Sequence, residues 1–140
     1  MLTLVIPYYN QPAMLDEQAR TWRGYPAGVE VIVVDDGSAV PARAEGCAIY
    51  RVAEDIPWHQ DGARNLGAHV ATGEWVLLLD IDHVLSGAVL RRLLGLLPRL
   101  PGGVAYRPRR RLVATGRALG RARNIWLMRR EDFWRVGGYD

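Results

Sequence analysis

At 140 residues, with 49% apolar and 24% charged residues, the chain has the balance of one soluble globular domain able to bury roughly 70% of its unfolded surface. No apolar run approaches the roughly 20 residues of a membrane span, and the first residues lack the charged start and cleavage site of a signal peptide. A lone Cys47 excludes an internal disulfide or a cysteine zinc site, and the net charge of +3 divides into −7 for residues 1–82 (5 Arg, 12 acids) and +10 for residues 83–140 (13 Arg, 3 acids).

The expected compartment is therefore the cytoplasm. The chain has no Lys, which fits coding bias better than a design for phosphate, although Arg does bind phosphate bidentately. Leu2-Thr3-Leu4-Val5-Ile6 predicts a first strand inside a sheet, stopped by Pro7. In the loop that follows, Tyr8 and Tyr9 offer rings to stack on a base or to pack. Ala13 to Trp22 keeps helical spacing at Leu15, Gln18/Ala19 and Trp22, and Gly24 with Pro26 ends it. A second apolar strand, Val29 to Val34, runs into Asp35-Asp36-Gly37-Ser38. Those acids can accept from a ring N–H or a ribose hydroxyl, or one can form an Asx turn.

Cys47 to Val52 predicts a short third strand in which Cys47 is a small buried hydrophobe. A polar loop from Asp55 to Asp61 carries Trp58 and His59; His59 and the later His69 read as ordinary surface or packing residues. The next helix, Gly62 to Thr72, should bury Ala63, Leu66, Val70 and Ala71, leaving Asp61, Arg64, Asn65 and Ala68 on the other face. Arg64 near a helix N-terminus opposes the dipole, so an anion, either Asp61 or a ligand phosphate, is expected beside it.

Trp75 to Leu79 is a continuous apolar run, expected as a strand over 75–80 buried on both faces, that enters Asp80-Ile81-Asp82-His83. Strand residues two apart point the same way, so Asp80 and Asp82 can converge at the carboxyl rim of the sheet, where ligands of open α/β sheets sit. Close carboxylates repel unless a proton or cation intervenes, and a hard divalent cation with oxygen ligands answers that. The plainer reading is that an acid caps the next helix, and both remain open. That helix should start at Ser86 and run to Leu97, with Val89, Leu90, Leu93, Leu94 and Leu97 inside and Pro98 ending it. Val104 to Arg107 predicts a strand, 108–123 a mobile basic loop without an acid, Asn124 to Met128 a further strand, and Glu131 to Val136 a short helix closed by Gly137-Gly138.

Alternating strands and helices predict an α/β fold with a mainly parallel sheet flanked by helices, in a single domain. A dinucleotide glycine fingerprint and a P-loop are both absent. Five short motifs in order then carry a resemblance: Val5-Ile6-Pro7-Tyr8-Tyr9-Asn10, Val33 to Ser38, Gly62-Ala63-Arg64-Asn65-Leu66-Gly67, Gly73 through Asp82, and Phe133 to Asp140. Together they resemble the nucleotide-sugar-binding half of a GT-A (Rossmann-like) glycosyltransferase of the family 2 type.

The resemblance implies a donor-binding core at 1–97, the basic loop at 108–123, and the start of an acceptor half at 124–140, with the rest of that half missing or incomplete. It implies that Pro7 and Tyr9 line the base pocket, that Asp35 or Asp36 meets the uracil or ribose, and that Arg64 approaches the base or diphosphate. Asp80 and Asp82 would be the DxD pair, Asp80 toward ribose or metal-bound water and Asp82 toward Mn²⁺ or Mg²⁺, with His83 as a further metal ligand. The implied activity is metal-assisted, inverting transfer from a nucleoside diphosphate sugar, UDP-sugar first, to a sugar, lipid or protein acceptor. Family members take their general base beyond the motif that ends at Asp140, so within this chain the base role would fall to Asp140 or, failing it, to Glu131 or Asp132. A partner chain would then supply the acceptor half, and the apolar surface that half would cover, with Trp126 and Trp134, is expected to favour self-association. The competing readings are a catalytically incomplete donor-binding domain and a basic polyanion binder drawing on residues 107–130; nucleic acid is not the expected partner.

Overall fold

In the computed structural model, which describes residues 1–140, the first strand, β1 (Leu2–Tyr8), is the middle of a five-stranded sheet and is buried along its whole length. It pairs in parallel with β2 (Val29–Asp36) on one side and with β4 (Trp75–Leu78) on the other. Strand β3 (Ala48–Val52) adds in parallel outside β2, and β7 (Trp126–Arg129) closes the other edge antiparallel to β4, giving the order β3-β2-β1-β4-β7.

The central strands are apolar at consecutive positions because both sheet faces are covered. Leu2, Leu4 and Ile6 project to one face, against Leu15 and Trp22 of α1 (Pro12–Trp22) and Leu90 of α3 (Gly87–Leu96). Val5 and Leu78, with Ile32, Val34 and Val76, project to the other, against Ala63 and Ala68 of α2 (Gln60–Val70) and Phe133 of α4 (Arg130–Arg135). Ser86 caps α3 as expected, its Oγ accepting from the Val89 N–H, and a 3₁₀ turn, Leu97–Arg99, ends that helix.

Several expectations are corrected. Strand β1 does not stop at Pro7 but continues to Tyr8. The Leu79 N–H bonds the Val5 carbonyl, so odd residues of β1 face β4, and β4 has already ended where Pro7 lacks its N–H. Strand β4 likewise ends at Leu78, so Asp80 lies beyond it. Val104 to Arg107 forms no strand, only a single bridge from Tyr106 to Leu127. The basic segment is not a loop: β5 (Arg109–Arg111) and β6 (Ala118–Arg121) pair antiparallel as a separate two-stranded sheet. Val89 is exposed.

The buried face of α2 is also rotated from the predicted one. Ala63, Arg64, Gly67 and Ala68 are buried, while Leu66 and Val70 sit at the margin. Gly67 explains this: a Cβ there would collide with Val5 and crowd Val34. Small residues let the helix lie close on β1 and β2, and close approach rather than side-chain size sets which face goes inward.

Candidate functional site

A cleft of about 600 Å³ opens at the carboxyl ends of β1, β2 and β4. Pro7, Tyr8, Tyr9, Asp36, Asp80 and Asp82 contribute to its lining, with Trp58 and His59 from the loop before α2. Of the predicted site residues, five therefore meet in one place, and His83 adjoins them through the Asp80–Asp82 turn.

That turn brings the acids together, not the pleat of a strand. The His83 N–H bonds the Asp80 carbonyl at 3.1 Å, closing a turn that contains both acids. From α1, the buried Gln18 side chain holds the turn from below, its Nε2 donating to the carbonyls of Ile81 at 2.8 Å and His83 at 2.9 Å. One ligand atom each from Asp80, Asp82 and His83 falls within 4.8 Å of the others. His83 Nδ1 lies 2.6 Å from Asp82 Oδ1, yet without hydrogen-bond geometry, and that nitrogen is buried with no other partner. Together the three side chains could hold a divalent cation through hard ligands. The cap position of α3 is taken by Ser86.

Arg64 does not reach the cleft. Its buried guanidinium donates to Asp80 Oδ1 at 2.5 Å and to Asp61 Oδ1 at 3.3 Å, so the anion expected beside it is supplied by protein carboxylates. Arg64 thus orients Asp80, and Gln60 Nε2 meets the same oxygen at 3.5 Å. The guanidinium in turn lies 5.5 Å from the centre of the Tyr139 ring. Tyr139 is pinned to α2 by Asn65, whose side chain donates to the Tyr139 carbonyl at 2.9 Å and accepts from its N–H at 3.0 Å. Asp140, the candidate base, is exposed and is not among the residues lining the cleft.

Asp35 is corrected as well. It is fully buried, accepting from the N–H groups of Ser38 at 3.0 Å and Ala42 at 2.9 Å and from Arg51 at 2.8 Å. Burial pushes its pKa up, but those hydrogen bonds and Arg51 outweigh it and hold the carboxyl below its ordinary value. With its oxygens so engaged, Asp35 builds the turn while Asp36 faces the cleft. His59 is not the ordinary surface residue expected: its Nδ1 lies 2.8 Å from Asp36 Oδ1 and so orients that carboxylate.

The loops at this rim are tied together. Asn10 N–H donates to Ser38 Oγ, and Asn10 Oδ1 accepts from the Ala39 N–H, both at 3.0 Å. Gly37, at φ +77°, lets the backbone of Glu54 and Asp55 come so close that a Cβ would sit 2.5 Å from the Glu54 carbonyl oxygen. Asp55 then accepts from the Tyr9 hydroxyl at 2.9 Å across the cleft. At the mouth, Trp58 is fully exposed at φ +59°, a conformation disfavoured for a bulky residue. Gln18 and His59 were legible only as a polar residue on a buried helical face and a histidine flanking a helix start, both weak signals.

A second, apolar groove of about 450 Å³ lies beside the edge strand β7 and α4, with Trp126, Met128, Phe133 and Val136 among its lining. Trp126 is half-buried there beneath Arg107, whose guanidinium is 5.0 Å from the ring centre, whereas Trp134, 39% exposed, does not line the groove.

Residues 3–137 match the family described as Glycosyl transferase family 2. Over 94 residues the chain is 31% identical to an undecaprenyl-phosphate 4-deoxy-4-formamido-L-arabinose transferase of Pseudomonas paraeruginosa, covering 59% of this chain and 28% of that protein. Among solved structures, it superposes on the mannosyltransferase PcManGT of Pyrobaculum calidifontis in complex with GDP-Man and Mn²⁺ with a TM-score of 0.71 at 20% identity, covering 99% of this chain and 47% of the other. With S. aureus TarS 1–349 in complex with UDP-GlcNAc the TM-score is 0.66 at 16% identity, covering 99% and 48%. The chain spans about half the length of these structures, whose GT-A fold it shares.

Proposed function

The chain belongs to glycosyl transferase family 2, and from that premise we propose that its cleft binds a nucleoside diphosphate sugar whose sugar the protein transfers to an acceptor. The observation that carries this reading is the convergence, at the ends of three parallel strands, of Asp36 with the Asp80–Asp82–His83 cluster in a cleft of about 600 Å³. Relatives of the same fold hold GDP-Man with Mn²⁺ or UDP-GlcNAc, which is the ligand class such a cleft suits.

The geometry supports the following roles. Asp36, steadied by His59, accepts from a base N–H or a ribose hydroxyl. Pro7 and the exposed rings of Tyr9 and Trp58 give the base apolar walls. Asp80, held by Arg64, and Asp82 with His83 would hold Mn²⁺ or Mg²⁺ through hard ligands. Bound there, the ion supplies Lewis-acid neutralisation of the charge that grows on the departing diphosphate. The protein's own contribution is to fix these ligands before the reaction, through Gln18, Arg64 and Gln60. Inversion at the anomeric carbon rests on the family resemblance, and the anomeric configuration of the product tests it.

Release of nucleoside diphosphate from a panel of UDP-, GDP- and TDP-sugars, assayed with Mn²⁺, tests the activity. The expected result is turnover of one donor that Asp82→Ala reduces by on the order of a hundredfold. Turnover unaffected by Asp82→Ala and by chelation would refute the assigned roles.

A further inference from the structure

The hairpin β5–β6 and its flanks hold a charge that nothing on the protein balances. Arg109, Arg110, Arg111, Arg117 and Arg121 lie within it, Arg107 and Arg123 beside it, and residues 107–123 include no acid. Some arginines elsewhere find carboxylates, Arg51 with Asp35, Arg64 with Asp80, Arg129 with Glu74 and Glu131, and Arg135 with Asp132, while those without one, such as Arg20, Arg43 and Arg99, are scattered along the chain rather than clustered. None of the seven around the hairpin has such a partner.

The hairpin is also built to stand out while its root is fixed. Its strands pair only with each other. At the root, Ala122 and Ile125 are buried, the Ala122 N–H bonds the Pro108 carbonyl, and Arg107 Nε donates to the Ala122 carbonyl at 2.9 Å. Every residue from Arg111 to Arg121 is exposed, and the tip is not polar: Leu112 is 37% exposed, Val113 91% and, across the turn, Leu119 38%.

We propose that the β5–β6 hairpin is a membrane-docking arm that sets its arginines against anionic lipid headgroups and its aliphatic tip into the interface. Charge alone would suit any polyanion. The tip decides among them. Single-stranded nucleic acid is gripped by aromatic rings beneath its bases, and residues 107–123 contain none. Exposed aliphatic side chains ringed by arginine instead match the two components of interfacial binding, apolar burial and attraction to anionic lipid. The inference is independent of the donor cleft, since none of these residues lines it.

Flotation with phosphatidylcholine vesicles, with and without phosphatidylglycerol, tests the proposal. The wild-type protein should float with the anionic vesicles only and release as salt is raised. Val113→Asp should weaken partitioning by on the order of tenfold, and the uncharged Val113→Ser should weaken it less while leaving retention on heparin unchanged. Replacing Arg109, Arg111, Arg117 and Arg121 together by Ser should weaken both, by about fivefold per arginine at the vesicle. All these positions are exposed, so thermal midpoints should hold, and Val113→Ser gives a milder second variant at the tip. Absence of the wild-type protein from anionic vesicles would overturn the proposal, as would unaltered flotation of Val113→Asp. Arginine variants that lose nucleotide affinity instead of vesicle binding would make the hairpin a clamp over the donor, and would also overturn it.

Discussion

Asp35 and Asp36 are chain neighbours with opposite fates. The strand pleat turns one inward and the other to the cleft, so substitutions should separate stability from binding. Asp35→Ala removes the buried acceptor of two backbone N–H groups and of the solvent-accessible Arg51, and should lower stability by about 1–3 kcal/mol in urea unfolding. Because Asp35 is held below the ordinary carboxylate pKa, its contribution is present above about pH 3.9 and is lost as pH falls through that value toward the folded one. The gap in melting temperature between wild type and Asp35→Asn should therefore narrow on acidification. Asp36→Ala should leave stability nearly intact and weaken donor binding by about ten- to a hundredfold. Trp58→Ala should likewise spare the fold, since the ring is fully exposed, and forfeit on the order of 1–3 kcal/mol of base stacking in nucleotide affinity. At this scale the sequence showed which residue types mattered but not which of two adjacent acids faced the ligand, because the Asp-Asp pair carries no mark of strand phase.

Among the elements, strands β1, β2 and β4 were legible because a strand covered on both faces must be apolar at consecutive positions. Helix α2 was legible in extent but not in orientation: periodicity weighs large apolar residues, whereas its inward face is set by the small Ala63, Gly67 and Ala68. Gly67→Ala makes the difference measurable. In a free helix the change is favourable by roughly 1 kcal/mol, but here the added methyl collides with Val5. Overpacking of about 1–3 kcal/mol should win, giving a lower urea midpoint. If the variant were more stable than wild type, the close α2–β1 contact would be wrong. The β5–β6 hairpin is not legible in the sequence because its arginine-rich strands have neither alternation nor β-branched residues. The turn that gathers Asp80, Asp82 and His83 depends on Gln18, 63 residues from Ile81 in the chain, a contact that no local pattern encodes.

Across the whole molecule, the acidic first 82 residues build the cleft and the basic remainder carries the hairpin, so the charge division of the sequence becomes two separate surfaces. The C-terminal segment is locked to the cleft's support through Asn65, Tyr139 and Arg64. The central claim is that the cleft takes a nucleoside diphosphate together with a divalent ion at the acidic turn. Calorimetric titration of UDP and GDP into the 140-residue chain, with Mn²⁺ and again with chelator, tests it most directly. The account predicts binding of one nucleotide with Mn²⁺, on the order of tenfold to a hundredfold weaker with chelator or with Asp82→Ala. Nucleotide affinity that is the same in chelator and in Asp82→Ala as in wild type with Mn²⁺ would contradict it.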